Sequence, residues 1–301
     1  MKKSLLLIIG FLILFTTEIL RVYFIMPFPG SQKSDTIQIA YFLHNYIWWF
    51  RVLGLLLFLP PMIYIFRNSR WWRKILLAIF VLLYATVFYA FNFKFLADKM
   101  FYQPENKILA TVATNKVDST KLVIGVALNG QAKAYPVEII SYHHQVQDSI
   151  SGEPVMVTYC SVCRTGRVFS PFVNGKFEKF RLVGMDHFNA MFEDATTKSW
   201  WRQATGKAVA GKLKGTALKE IESAQMSLGA WMRKHPNTMI LQPDPVFAKQ
   251  YKGLEGFDEG TIKSDLEKRD SASWQFKSWV IGIEKNGHTK AYDWNDLVKQ
   301  R

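Results

Sequence analysis

Cysteine is nearly absent. The 301 residues hold two, Cys160 and Cys163. That excludes a disulfide-rich scaffold and any four-cysteine zinc or iron–sulfur centre within one chain. Acidic residues are scarce in one part. Residues 1–93 contain only Glu18 and Asp35 against nine basic residues, whereas residues 94–301 contain 22 acidic and 29 basic residues. Each part therefore carries half of the net charge of +14. In the second part the basic residues are interspersed with acids, so no nucleic-acid partner is expected. With 49% hydrophobic residues the chain is too apolar for disorder.

Apolar runs are what it has in quantity. Residues 4–26, about 41–66 and 75–93 are each long enough to cross a bilayer, which takes about 20 mostly apolar residues. The first run is too long for a signal-peptide core, and no small-x-small site precedes Met26-Pro27, so a retained helix is expected. Lys2 and Lys3 precede the first run, and Arg67, Arg70, Arg73 and Lys74 fill the second loop, while the first loop has only Lys33. That bias predicts an integral membrane protein with its N-terminus in the cytoplasm, residues 1–93 as membrane region and residues 94–301 outside. The lipid bilayer is thus the expected partner, and Trp48, Trp49, Trp71 and Trp72 suit interfacial anchoring. Charge within a span is costly unless paired, so a Glu18–Arg51 clamp is expected, with Arg21 snorkelling to the outer surface.

The fold class expected is three transmembrane helices followed by a mainly-β α+β extracytoplasmic domain with repeated Asn-Gly hairpins. Asn129-Gly130, Asn174-Gly175 and Asn286-Gly287 each separate short β-prone runs, and Asn-Gly supplies the positive φ angles of a type I′ turn. Strands are expected at 154–160 and 238–241. Helices are expected after Pro136 and at 227–234, capped by Ser227 and stopped at His235-Pro236. Residues 253–272 read as loop. Residues 123–135 and 280–292 match at 8 of 13 positions without a gap, a repeat whose second copy is expected to extend the first copy's sheet.

The chemistry centres on Cys160-Ser161-Val162-Cys163, where two sulfurs are close enough to bridge or to share a metal. Arg164 and Arg167 favour thiolate. Gly166 and β-prone Val168-Phe169 follow at once, which suggests a knuckle between strands rather than a helix start. A metal needs more ligands. His143, His144 and His187 are candidates, with Asp148 or Asp186 as ligand or orienting partner. Sulfur and imidazole suit copper or zinc. On a strand, adjacent His143 and His144 face opposite ways, so one of them at most enters the site. The tryptophans at 200, 201, 231, 274, 279 and 294 are read as packing or, less often, as a pocket.

Several motifs in order carry a resemblance. These are KAYP (133–136), His143-x-x-x-x-Asp148, GEPVMVTYCSVCRTG (152–166), DATTKSWWRQATGKAVAGKLKG (194–215) and HPNTMIL (235–241), with the closing hairpin. From about Val123 to Tyr292 the chain resembles the family known as domain of unknown function 3179. It departs from the family pattern at His144, at Ser161-Val162 and at Arg164, where glycine is usual. The resemblance implies a common unit around the Cys/His/Asp region without naming a reaction. The expected function is a membrane-anchored thiol or metal site, with Cys160 and Cys163 as ligands or redox pair, His143 as further ligand or base and Asp148 orienting it. The alternative is a non-catalytic binding or assembly module with a structural Cys160–Cys163 disulfide. A cysteine hydrolase comes third and requires a histidine beside one sulfur.

Overall fold

The computed structural model describes residues 2–258, 262, 266, 270–275 and 278–300. Three long helices come first: α1 (Lys2–Tyr23), α2 (Ile37–Asn68) and α3 (Trp71–Phe93). All three are long and apolar enough to cross a membrane. The joint between α2 and α3 is shorter than the charge pattern suggests, only Ser69 and Arg70, because Trp71 to Lys74 already belong to α3.

Glu18 joins the three helices. Its carboxylate accepts from Arg51 Nε at 2.6 Å and Nη2 at 3.0 Å, from Asn92 Nδ2 at 2.9 Å and from Arg21 at 3.4 Å. Arg21 does not snorkel outward. It is buried and also donates to Asn92 and to the Phe91 carbonyl, because the Glu18–Asn92 pair offers acceptors inside the bundle.

A single-turn helix α4 (Ala97–Met100) leads into a β-rich region. Strands β1 (Leu109–Ala110), β2 (Leu122–Leu128) and β3 (Gln131–Pro136) precede helix α5 (Val137–His143). There follow β4 (Gln145–Ile150), β5 (Glu153–Cys160), β6 (Thr165–Phe169), β7 (Phe172–Val173) and β8 (Lys176–Phe177). Next come β9 (Phe180–Asp186), β10 (Asn189–Asp194), β11 (Trp200–Arg202) and β12 (Ala208–Ala210). Strand β13 (Ala224–Ser227), helix α6 (Leu228–Lys234), strand β14 (Met239–Leu241) and helix α7 (Ala248–Lys252) end the first compact unit, which runs to Gly253.

The sheets are β1-β14-β3-β2-β13, β4-β5-β6, β12-β11-β10-β9 and the small β7-β8 pair. Asn129-Gly130 closes β2–β3 with φ of 48° and 80°, and Asn174-Gly175 closes β7–β8 with 50° and 76°. Ser227 caps α6 by accepting from the Ala230 N–H, and the helix stops at His235 before Pro236. Gly125 is bare for a reason of packing: a Cβ there would lie 2.4 Å from the Trp231 ring. Trp200, Trp201 and Trp231 are core residues, whereas Trp274 and Trp294 are exposed.

At about 1.5 Å per residue, α2 exceeds the roughly 30 Å of a hydrocarbon core. Its first turns reach the β-rich region. Gln38 donates to the Val209 carbonyl at 2.7 Å, and Tyr41 and His44 meet the Trp200 ring edge-on. One apolar cluster runs from Val22, Ile25 and Met26 through Trp200 and Phe192 to Cys160.

The second unit, Leu254–Arg301, holds β15 (Val280–Lys285), β16 (His288–Asp293) and α8 (Trp294–Lys299). Asn286-Gly287 joins the strands, and Asp293 caps α8 by accepting from the Asn295 and Asp296 N–H groups. The repeated hairpin does not extend the first copy's sheet. It forms a two-stranded sheet of its own, and in the first copy both β2 and β3 already have neighbours on either side. Of the expected loop 253–272, residues 259–261, 263–265 and 267–269 lie outside the described residues.

Candidate functional site

Strand β5 ends at Cys160, which pairs with Thr165 at the start of β6, so residues 161–164 form a short connection between the strands. Arg164 has φ 51°, in the left-handed region that favours glycine. The glycine that the resemblance implies at this position would take this backbone without strain. The connection places the two sulfurs unequally. Cys160 is fully buried in the apolar cluster, and Cys163 is exposed.

The thiols lie 3.0 Å apart and are free, not joined as a disulfide. The structural disulfide of the alternative reading is thus replaced by a dithiol. Cys160 Sγ accepts from the Cys163 N–H at 3.4 Å. The Phe188 carbonyl is 3.6 Å from Cys160 Sγ and 3.5 Å from Cys163 Sγ, an acceptor for either thiol. The hydrogen bond from the Cys160 thiol, aided by the Asn189 amide and opposed by burial, holds the Cys163 thiol down to about 7. That same hydrogen bond, together with burial, pushes Cys160 well up. The exposed sulfur is therefore the one that ionises first, with the buried thiol as its hydrogen-bond donor.

Asn189 and Gln203 build the wall behind Cys163. Asn189 Nδ2 donates to Cys163 Sγ at 3.4 Å and to Gln203 Oε1 at 3.1 Å, and its Oδ1 accepts from the Ala204 N–H at 2.8 Å. Gln203 Nε2 donates to the Thr165 carbonyl at 2.9 Å and to Thr158 Oγ1 at 3.1 Å. Both residues escaped sequence reasoning. Their signal was a polar side chain inside an apolar strand run, in HFNAMF and in WWRQA.

The Phe188 carbonyl is held by the β9–β10 turn, where His187 and Phe188 take φ of 50° and 62°. Asp186 fixes the turn, bonded to Arg202 and to His187 Nδ1. The segment following α1 braces it from the other side. The Phe188 N–H donates to Gln32 Oε1 at 3.2 Å, and the Met185 N–H donates to the Ile25 carbonyl at 2.7 Å.

The other sequence candidates are engaged elsewhere. His143 closes α5, its Nδ1 bonded to the Tyr102 carbonyl at 2.5 Å and its Nε2 to the Tyr251 hydroxyl at 2.6 Å. Burial lowers its pKa against the pull of the Tyr102 carbonyl. Both ring nitrogens are thus occupied, and His143 is neither ligand nor base to the sulfurs in this geometry. Asp148 does not orient it. The carboxylate accepts from Lys133 and the Tyr135 hydroxyl, both at 2.9 Å. Burial acts upward on Asp148, yet the hydrogen bonds from Lys133, Ser149 and Tyr135 hold it below the usual range.

His143 and His144 are not alternating strand residues. The helix ends between them, with His144 at φ 60° and its Nδ1–H donating to the Tyr159 carbonyl at 3.2 Å. Among the described residues no histidine bonds either sulfur, so the geometry lends the hydrolase reading no base. Among the described residues no group of three or more His, Cys, Asp or Glu gathers to hold a metal ion, and the described ligands that the site offers copper or zinc are the two thiols.

Within the motif DATTKSWW, Asp194 ties its own turn. It accepts from the Thr197 and Ser199 N–H groups and from Trp201 Nε1 at 2.9 Å. Neighbouring Glu193 accepts from Trp200 Nε1 at 2.8 Å. This stretch is thus a structural clasp around the two indoles, and Gln203 just beyond it reaches the cysteine site.

No curated protein and no solved structure matches the chain. The family model described as "Protein of unknown function (DUF3179)" matches residues 103–301, two-thirds of the chain, including every residue of the cysteine site except those contributed by the α1–α2 segment. The chain therefore belongs to the DUF3179 family.

Proposed function

We propose that the protein is a membrane-anchored, extracytoplasmic thiol–disulfide oxidoreductase, with residues 1–93 as anchor and residues 94–301 outside. The observation that carries the reading is the pair of free sulfurs 3.0 Å apart, one exposed and one buried. The loop charges support the orientation, and an oxidising compartment gives such a pair disulfides and dithiols to exchange with.

In the proposed reaction the Cys163 thiolate attacks one sulfur of a protein or peptide disulfide. The substrate S–S bond breaks, the departing thiolate takes a proton from water, and a mixed disulfide forms on Cys163. Cys160 then attacks Cys163 Sγ, the bond between Cys163 and the substrate sulfur breaks, the Cys160 proton passes to the departing substrate thiolate, and a Cys160–Cys163 disulfide is left. Two electrons pass to the substrate, and a substrate dithiol returns them by the reverse steps. Asn189 positions Cys163, and Phe188 accepts from the protonated thiol.

The test is equilibration of the full chain in detergent with glutathione buffers of graded potential, read by alkylation and mass. One two-electron transition is expected. Cys160→Ser should accumulate the mixed disulfide on Cys163, and Cys163→Ser should form none. A dithiol that stays reduced at every potential, or a Cys163→Ser variant that still exchanges, overturns the proposal. Labelling of Cys163 by an impermeant maleimide in right-side-out but not inside-out vesicles tests the orientation.

A further inference from the structure

The wedge between α2 and α3 is open near the joint that connects them. A cavity of about 760 Å³ lies there, lined by Ile63 and Phe66 of α2 and Ala78 and Val81 of α3, with Arg67 and Lys74 at its loop end. It exists because the two helices leave it unfilled. Only Leu77 is buried along α3, and the small side chains of Ala78 and, two turns on, Ala85 leave a trough on one helix face.

Two features limit what fits. From Lys74 to Ala85 is 11 residues, about 16 Å of helix, or roughly half of a hydrocarbon core of about 30 Å. The trough thus spans one leaflet, the length of one acyl chain. The cations at its mouth also lack a protein counterion on the helices. No Asp or Glu occurs between Asp35 and Asp98, and Glu18 is already held by Arg51, Arg21 and Asn92. A second groove on the other side of Leu77, about 340 Å³, places Lys3 and Arg73 at the same end, so positive charge surrounds the mouth.

We propose that this groove is a binding site for an anionic phospholipid of the leaflet that faces the α2–α3 joint. The phosphate sits on Arg67 and Lys74, and one acyl chain follows α3 toward Ala85. Basic residues close to an anionic leaflet attract it, and a cavity between spans adds a place for the chain. The proposal needs the helices to span a bilayer and does not depend on the cysteine chemistry.

The experiment uses the full chain in detergent, titrated with phosphatidylglycerol or phosphatidylcholine and followed by native mass spectrometry and thermal unfolding. Phosphatidylglycerol is expected to stay bound and to raise the unfolding midpoint saturably, and phosphatidylcholine to do neither. The Arg67→Gln/Lys74→Gln variant should bind at least about tenfold more weakly, and Ala78→Phe should block the trough. Arg70→Gln, which removes one charge outside the cavity, should change binding by less than about twofold. If the double variant fails to fold, Ala78→Phe against Arg70→Gln decides the question. Equal effects of the two lipids, equal protection by glycerol phosphate without chains, or a loss in Arg70→Gln as large as in Ala78→Phe would each overturn the site.

Discussion

At the residue scale, Cys163 and Cys160 are one charge shared unequally, and alkylation measures the sharing. The rate at Cys163 should rise through a midpoint near pH 7, whereas Cys160 should resist alkylation up to far higher pH. Asn189→Ala removes a hydrogen bond to the thiolate, so the midpoint should move upward. It also strands the Ala204 N–H, at about 1–3 kcal/mol of stability. An unchanged midpoint would mean that Asn189 only packs.

His144 gives the fold a second pH signature. Burial, opposed by the Tyr159 carbonyl, lowers its pKa to about 4, below an unfolded value of about 6.5. Between those values the unfolded chain binds the proton and the folded chain does not. Stability therefore rises with pH across the window, and about 3 kcal/mol is lost as pH falls from 6.5 to 4. Thermal unfolding of His144→Asn, which tolerates the left-handed backbone and does not titrate, should show a flatter profile over that range. A slope equal to the parent's would assign the effect to other groups.

At the element scale, the β9–β10 hairpin is where the helical region meets the cysteine site. A Cβ on Gly184 would lie 2.2 Å from the Ile25 carbonyl oxygen, which is backbone and has no rotamer to change. Gly184→Ala should therefore separate the hairpin from the segment after α1, break the Met185–Ile25 hydrogen bond and cost about 2–3 kcal/mol in thermal unfolding. Because Gln32 holds the Phe188 N–H on the same hairpin, faster alkylation of buried Cys160 should accompany the loss. A variant as stable as the parent would show that the hairpin yields.

The helix beginning after Pro136 and the Ser227-capped α6 follow from local chemistry, so they were legible without tertiary contacts. The association of the closing hairpin was not. Its turn residues match those of the first copy, but strand neighbours are chosen by which edges remain open, and β2 and β3 have none.

At the scale of the whole molecule, three side chains, Arg21, Arg51 and Asn92, one from each helix, share the Glu18 carboxylate. Glu18→Gln would leave Arg21 and Arg51 without their counterion inside the apolar bundle, a change typically worth about 3–5 kcal/mol. Unfolding of the full chain in detergent reads the loss, and a change under about 1 kcal/mol would mean that water reaches the cluster. The longest helix, α2, serves both regions, since its first turns bond the β-rich part and its last turns form the cationic groove. The end of α1 and the segment after it are thus built into the core that also contains Cys160.

What the sequence determined by itself is whatever depends on composition and near neighbours. That comprises three apolar helices, the Glu18–Arg51 pair, the capped short helices and two cysteines too close in the chain to be separated. Membrane cost and turn sterics act locally, so residue order suffices for them. Only the tertiary structure decided which distant groups meet the sulfurs. Asn189 and the Phe188 carbonyl reach them from β10 and the β9–β10 turn, and Gln203, from the segment after β11, holds Asn189. His143, nearer in sequence, is committed to Tyr102 and Tyr251. The physical reason is that a buried imidazole takes whatever polar partners the packing supplies. Those partners come from the segment before β1 and from helix α7, 41 and 108 residues away along the chain.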